Sequence, residues 1–255
     1  MTTGRKRGEL LIFDHPLSYE RGWVFQSLLH QERVLNQRPD TVILLEHCPV
    51  YTLGRTTKPA DLPQSEQVLQ ETGAEVQVVN RGGSITFHGP GQLVVYPLLK
   101  VATYATGPRR LVWMLEEVVL RLLARWNIEG YRLAGRPGVW VLSPQLAKIA
   151  SIGIRIQQGV SLHGCAVNVD MDLSPFALIH PCGITNCRMT TMRLQGAHTV
   201  SIAAVKGHVA NLFSDVFGLE WATILHPADN HMAPDPVSHV TLFRPKPMEK
   251  QYAGT

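Results

Sequence analysis

Two apolar stretches in the middle of the chain, 148–156 and 161–169, are separated by little more than Gln157-Gln158-Gly159. Strands joined this tightly pair antiparallel, because a parallel partner needs a crossover of a dozen or more residues. Upstream, short apolar runs at 10–13 (LLIF), 41–46 (TVILLE) and 93–99 read as strands, and 75–80 alternates polar and apolar residues as a half-buried strand does. Helical stretches intervene at 19–36 and 65–72. The clearest helix is 109–126, with Leu111, Leu115, Val118, Leu122 and Trp126 on one face. A short strand is expected at 139–142, and a last helix at 199–217 with Ser201 near its start and Gly218 after it. Hairpins and helix-separated strands in one chain imply an α/β (α+β) fold: a mixed sheet with helices packed on it, in one domain.

No apolar run approaches the roughly 20 residues needed to cross a membrane. Met1 to Gly8 is polar and basic, and Leu10 to Phe13 is too short for a signal-peptide core, so the chain reads as cytoplasmic. Lys+Arg exceeds Asp+Glu by 24 − 20 = 4. This mild excess favours acidic partners such as a carrier protein. Nucleic acid is not indicated, since no Lys/Arg run with interleaved aromatics appears. The four cysteines, Cys48, Cys165, Cys182 and Cys187, form no C-x-x-C pair and are expected to be reduced thiols. No His/Cys grouping has metal-ligand spacing, so no metal is expected.

Four segments carry chemistry. The first is Arg81-Gly82-Gly83-Ser84-Ile85-Thr86-Phe87-His88-Gly89-Pro90-Gly91-Gln92. Paired glycines let backbone come within contact of a ligand, and Thr86 and His88 share a side in an extended segment while Phe87 faces the other. The phosphate-loop pattern is absent. The second is Lys148-Ile149-Ala150-Ser151-Ile152-Gly153, where Ser151 and Gly153 inside a strand suggest a close approach to its backbone. The third is His163-Gly164-Cys165-Ala166-Val167-Asn168, a run of small residues in which Cys165 reads as a buried packing thiol. The fourth is His180-Pro181-Cys182-Gly183. Proline before and glycine after hold Cys182 on a turn with its sulfur presented, where reactive thiols are found if something favours the thiolate.

Taken together, RGGSITFHGPGQ at 81–92, GVWV at 138–141, KIASIGIRI at 148–156, HGCAVN at 163–168 and PCGI at 181–184 resemble the octanoyltransferases of lipoate biosynthesis. EHCPVYTLGR at 46–55 resembles the opening motif of that family. The resemblance runs from about Leu10 to Phe213. It departs at Lys100-Val101, where many relatives carry an acidic residue, and past about Trp221 it has no counterpart. It implies a catalytic domain at 1–222 with the fold of biotin and lipoate ligases, followed by a loosely held extension at 223–255. It implies that Arg81, Gly82, Gly83, Ser84, Ile85, Thr86, Phe87 and His88 line an acyl tunnel closed by Ser151, Ile152, Gly153, Gly164, Cys165 and Ala166. Cys182 would be the acyl acceptor and Lys148 the base beside it, with no cofactor. The donor would be octanoyl-acyl carrier protein. The acceptors would be lipoyl domains of 2-oxo-acid dehydrogenase complexes and the glycine cleavage H protein. The rivals are an ATP-dependent ligase on the same fold, which needs no cysteine, and a non-catalytic acyl-binding protein.

Overall fold

A computed structural model of the chain describes residues 5–142 and 144–227. It opens with strand β1 (Lys6–Ile12), helix α1 (Tyr19–Val34) and strand β2 (Asp40–Leu45). Short strand β3 (Val50–Leu53), helix α2 (Glu66–Glu71) and strands β4 (Glu75–Val78) and β5 (Ile85–His88) follow. Then come β6 (Gln92–Leu98), helix α3 (Pro108–Ala124), β7 (Gly130–Leu133), β8 (Arg136–Leu142), β9 (Leu146–Gln157) and β10 (Val160–Asn168). Helix α4 (Ile202–Phe217) and β11 (Leu219–Leu225) complete the described chain.

Eight strands make one mixed sheet in the order β11-β1-β2-β6-β10-β9-β8-β7, and β4-β3-β5 make a second, smaller one. The β9–β10 hairpin is antiparallel, as its short connection requires. Gln158 and Gly159 at its turn both have positive φ, 49° and 78°. That backbone matches the twist of the flanking strands. Helices α3 and α4 cover one face of the large sheet. Leu111, Leu115, Val118 and Leu122 of α3 pack there with Val205, Val209 and Phe213 of α4. The stripe is apolar at i, i+4, i+7 and i+11, and Arg121 and Glu117 pair on the exposed side at 2.8 Å. Helix α4 starts at Ser201, whose hydroxyl accepts from the Ala204 N–H, and stops at Gly218 in the left-handed region. Helix α1 covers the other face, packing Phe25 and Leu29 on Phe13, Ile43, Val94 and Tyr96. The small sheet leans against this second face and has its own core of Tyr51, Leu53, Ile85, Phe87 and Phe176.

Strands β3 and β5 arise where the sequence reads as loop, and β7 and β11 have no counterpart in that reading. β11 adds in parallel to β1, from Lys6↔Leu219 to Leu11↔Leu225. The boundary expected after residue 222 therefore falls inside a sheet strand. Residues 228–255 of the expected extension lie outside the described residues.

Candidate active site

Cys182 lies on a tight turn, Pro181–Gly183, with φ 59° and ψ 20°. Non-glycine residues seldom occupy that region, and such strain gathers at functional sites. Gly183 N–H donates to the His180 carbonyl at 3.0 Å and Ile184 N–H to the Pro181 carbonyl at 3.1 Å, closing the turn. The chain then returns to the large sheet. Lys148 N–H donates to the Arg188 carbonyl at 2.7 Å, and Thr190 N–H to the Lys148 carbonyl at 3.0 Å. Here β8 shifts register between Val139 and Trp140, and 188–190 bridges β9 at Lys148. The cysteine turn and Lys148 thus meet at one point of the sheet.

Motif residues hold that return segment. His88 Nδ1–H donates to Gln92 Oε1 at 2.7 Å, and Gln92 Nε2 donates to Asn168 Oδ1 at 2.9 Å. Asn168 Nδ2 donates in turn to the Thr190 carbonyl at 3.0 Å. Each of these groups is buried, so each bond satisfies polar atoms that would otherwise be stranded.

The Lys148 Nζ donates to Cys182 Sγ at 3.0 Å, with Ser151 Oγ 3.9 Å from the sulfur. Lys148 is 1% exposed and its Nζ lies 5.3 Å from the centre of the Trp140 ring. No carboxylate forms an ion pair with Lys148 among the described residues. Its hydrogen-bond partner is the thiol. Arg81 is also buried, its guanidinium donating to the Thr52 carbonyl at 2.6 Å and to Thr52 Oγ1 at 2.9 Å. Burial pushes its pKa down, and Tyr19 and Cys182 are close enough to push it back up. Once it has taken a proton, Lys148 joins Arg81 in stabilising negative charge on the sulfur.

The lysine reaches the sulfur by passing over Gly138 of β8. A Cβ at that glycine would lie 2.4 Å from the Ala150 carbonyl oxygen and 2.6 Å from Lys148 Cε, and its φ is 118°. Gly138→Ala is therefore expected to cost about 1–3 kcal/mol in stability. By displacing the lysine it should also lower the reaction rate of Cys182 about tenfold or more. Thermal unfolding and thiol alkylation rates measure the two effects. Wild-type values in both would mean that the lysine does not depend on this bare position.

Cys182 and Lys148 open onto a cavity of about 460 Å³, a size typical of small-molecule sites. Its floor is the α1 face of the large sheet, where Gly153 of β9 faces Gly164 of β10. Ser151, Ile152, Cys165 and Ala166 lie beside them along the wall. Its roof is the glycine-rich segment: Arg81, Gly82, Gly83, Ser84, Thr86 and His88. Ile85 and Phe87, expected beside them, are not among the residues that line it. On β5 they point to the opposite side, where Phe87 packs on Tyr51 and Phe176. Tyr19, Val94, Tyr96 and Ile184 line the cavity without having been singled out in the sequence. Val94 and Tyr96 sit two apart on β6, which is the only signal the sequence held for them.

The cavity histidines are fixed and neutral at physiological pH. Burial pushes His88 and His163 down to about 3, and likewise pushes His47, which packs behind His88 and does not line the cavity, down to about 4. His163 donates through Nε2–H to Asn80 Oδ1 at 2.6 Å and stacks on Trp23. Cys165 and Cys187 are poor nucleophiles, since burial pushes their thiols up to about 12 and about 11. Among the described residues no group of three or more His, Cys, Asp or Glu is placed to hold a metal ion, and no helix is long and apolar enough to cross a membrane.

Comparison with known proteins identifies the family and the fold. Residues 18–214 match the family model "Lipoyl protein ligase A/B catalytic domain". An octanoyltransferase of Thermobifida fusca is 42% identical over 198 residues, covering 75% of this chain and 81% of its own. One of Chloroflexus aurantiacus is 40% identical over 205 residues, covering 80% and 92%. A bipartite lipoate protein ligase from Thermoplasma acidophilum superposes with a TM-score of 0.62 at 14% identity, covering 86% of this chain and 88% of its own, a likeness of fold.

Proposed function

We propose that this chain, which belongs to the octanoyltransferases of the lipoyl protein ligase A/B catalytic-domain family, carries the octanoyl group as a thioester on Cys182. The donor is octanoyl-acyl carrier protein, and the acceptors are the target lysines of lipoyl domains, in 2-oxo-acid dehydrogenase complexes and in the glycine cleavage H protein. The setting is the cytoplasm. The observation that carries this reading is the 3.0 Å contact from Lys148 Nζ to Cys182 Sγ at the wall of the cavity.

In the first half-reaction Cys182 gives its proton to Lys148 and Sγ attacks the donor thioester carbonyl. The carbon–sulfur bond to the carrier arm breaks, and the proton passes to the departing thiolate. In the second, the amine of the acceptor lysine attacks the acyl-enzyme. An N–C bond forms, Cys182 Sγ leaves, and a proton from the amine returns to the Lys148–Cys182 pair. Thioester to thioester is near isoenergetic and thioester to amide runs downhill, so no nucleotide needs to be consumed. Lys148 and Arg81 oppose the cost of holding charge on sulfur inside a half-buried site.

The test is octanoyl transfer from acyl carrier protein to a lipoyl domain in the absence of ATP. Full turnover without nucleotide is expected. Transfer that starts only when ATP and free octanoate are supplied would make the chain a ligase and overturn the proposal.

A further inference from the structure

Asp61 is a buried carboxylate, 8% exposed, that no motif singles out. It ends a single turn of 3₁₀ helix, Pro59–Asp61, between β3 and α2. One carboxylate oxygen accepts from the Lys58 N–H at 2.9 Å and from the hydroxyl of Ser84. Ser84 belongs to the glycine-rich roof of the cavity. The Asp61 main-chain carbonyl accepts from the N–H of His180 at 2.9 Å, the residue that begins the cysteine turn. The other carboxylate oxygen is 3.5 Å from where a Cβ would stand on Gly183, and Ser84 Cβ is 3.6 Å from the same point. Asp61 forms no ion pair among the described residues.

One residue thus holds the cavity roof by its side chain and the nucleophile's turn by its backbone. We propose that Asp61 is a positioning residue: through Ser84 and His180 it fixes the strained Cys182 turn against the glycine-rich roof, so that the sulfur meets an acyl carbonyl at attack distance. The inference rests on the reading of Cys182 as the acyl carrier. Its energetic logic follows from the backbone. A left-handed cysteine persists only where its surroundings over-determine it, and a small displacement of a nucleophile costs far more rate than stability. The carboxylate also lies against Gly183, one residue after the nucleophile, so its negative charge opposes Lys148 and Arg81, which favour a thiolate.

The test uses the full chain with Asp61→Asn, Ser84→Ala and the double variant. Asp61→Asn keeps the size but removes the charge, and its single oxygen replaces two. Its kcat for acylation by octanoyl-acyl carrier protein is expected to fall about tenfold or more, with KM changed less than about twofold. The pH profile of Cys182 alkylation by iodoacetamide should move to lower pH, because a like charge no longer opposes the thiolate. Simple loss of folded protein lowers the signal without moving that profile. Ser84→Ala leaves the charge in place, so kcat should fall while the alkylation profile stays. The double variant should be no slower than Asp61→Asn, because both remove one clamp. Wild-type kcat in either single variant, or additive losses in the double, overturns the proposal. If Asp61→Asn does not fold, Ser84→Ala decides by its kcat alone. Failure of the wild type to form any acyl adduct would instead overturn the thioester reading. The alkylation profile of Asp61→Asn would then decide whether Asp61 acts on the thiol, an unmoved profile counting against it.

Discussion

Cys182→Ser is expected to fold like the wild type and to lose octanoyl transfer by about three orders of magnitude or more. The side chain is half-buried on a turn, so exchanging sulfur for oxygen should change stability by no more than about 0.5–1 kcal/mol. A serine hydroxyl at this site is scarcely ionised at neutral pH, and the lysine beside it cannot make up the difference. The other thiols are the controls. Cys165→Ala and Cys187→Ala remove sulfurs that burial keeps protonated, and both variants should remain largely active. Circular dichroism and a transfer assay suffice. A Cys187→Ala variant as inactive as Cys182→Ser would move the nucleophile to the neighbouring thiol.

Lys148→Ala should slow both halves of the reaction, by about 10²–10⁴-fold if the lysine moves the proton. Alkylation of Cys182 at pH 7 should slow as well, with its profile displaced to higher pH, because the nearest cation is gone. Lys148→Arg separates charge from proton transfer. A guanidinium keeps the charge but cannot accept a proton at accessible pH, so alkylation should recover in part while discharge to the lipoyl-domain amine does not. The longer side chain must also pass the backbone at Gly138, which limits the recovery. Recovery of both half-reactions by arginine would leave the lysine as a counter-charge only. An unchanged Lys148→Ala would shift attention to the cavity histidines, whose burial and low pKa values, about 3 for His88 and His163, make them weak replacements.

What could be read from the sequence followed from local pattern. The β9–β10 hairpin, the apolar stripe of α3 and the caps of α4 are written in residues close to one another, and each appears where its pattern lies. The alternation Thr86–Phe87–His88 also places Phe87 away from the cavity, as period two requires. The same alternation removes Ile85, which a motif read as a block cannot do. Strands β3 and β5 were illegible because four residues in a Gly- and Pro-rich stretch are too few to tell a strand from an extended loop. They are strands because they pair, β3 with β5 at Thr52 opposite Thr86 and with β4 on its other side. β11 was illegible for a related reason: as an edge strand it leaves Ile224 and Leu225 exposed. The site divides in the same way. Cys182 and Lys148 stand in motifs, but Asp61, the Asn168 link to Thr190 and the buried fork of Arg81 on Thr52 join residues distant in sequence. Their partners are set by the fold alone.

The most direct measurement of the central claim is the intact mass of the protein after mixing with octanoyl-acyl carrier protein, followed by peptide mapping. One octanoyl group should replace one thiol proton, located on Cys182. That adduct should discharge on addition of a lipoyl domain, at a rate no slower than overall turnover. Octanoyl transfer that proceeds at full rate with no adduct at any time, or with the adduct on another residue, would rule out Cys182 as the acyl carrier.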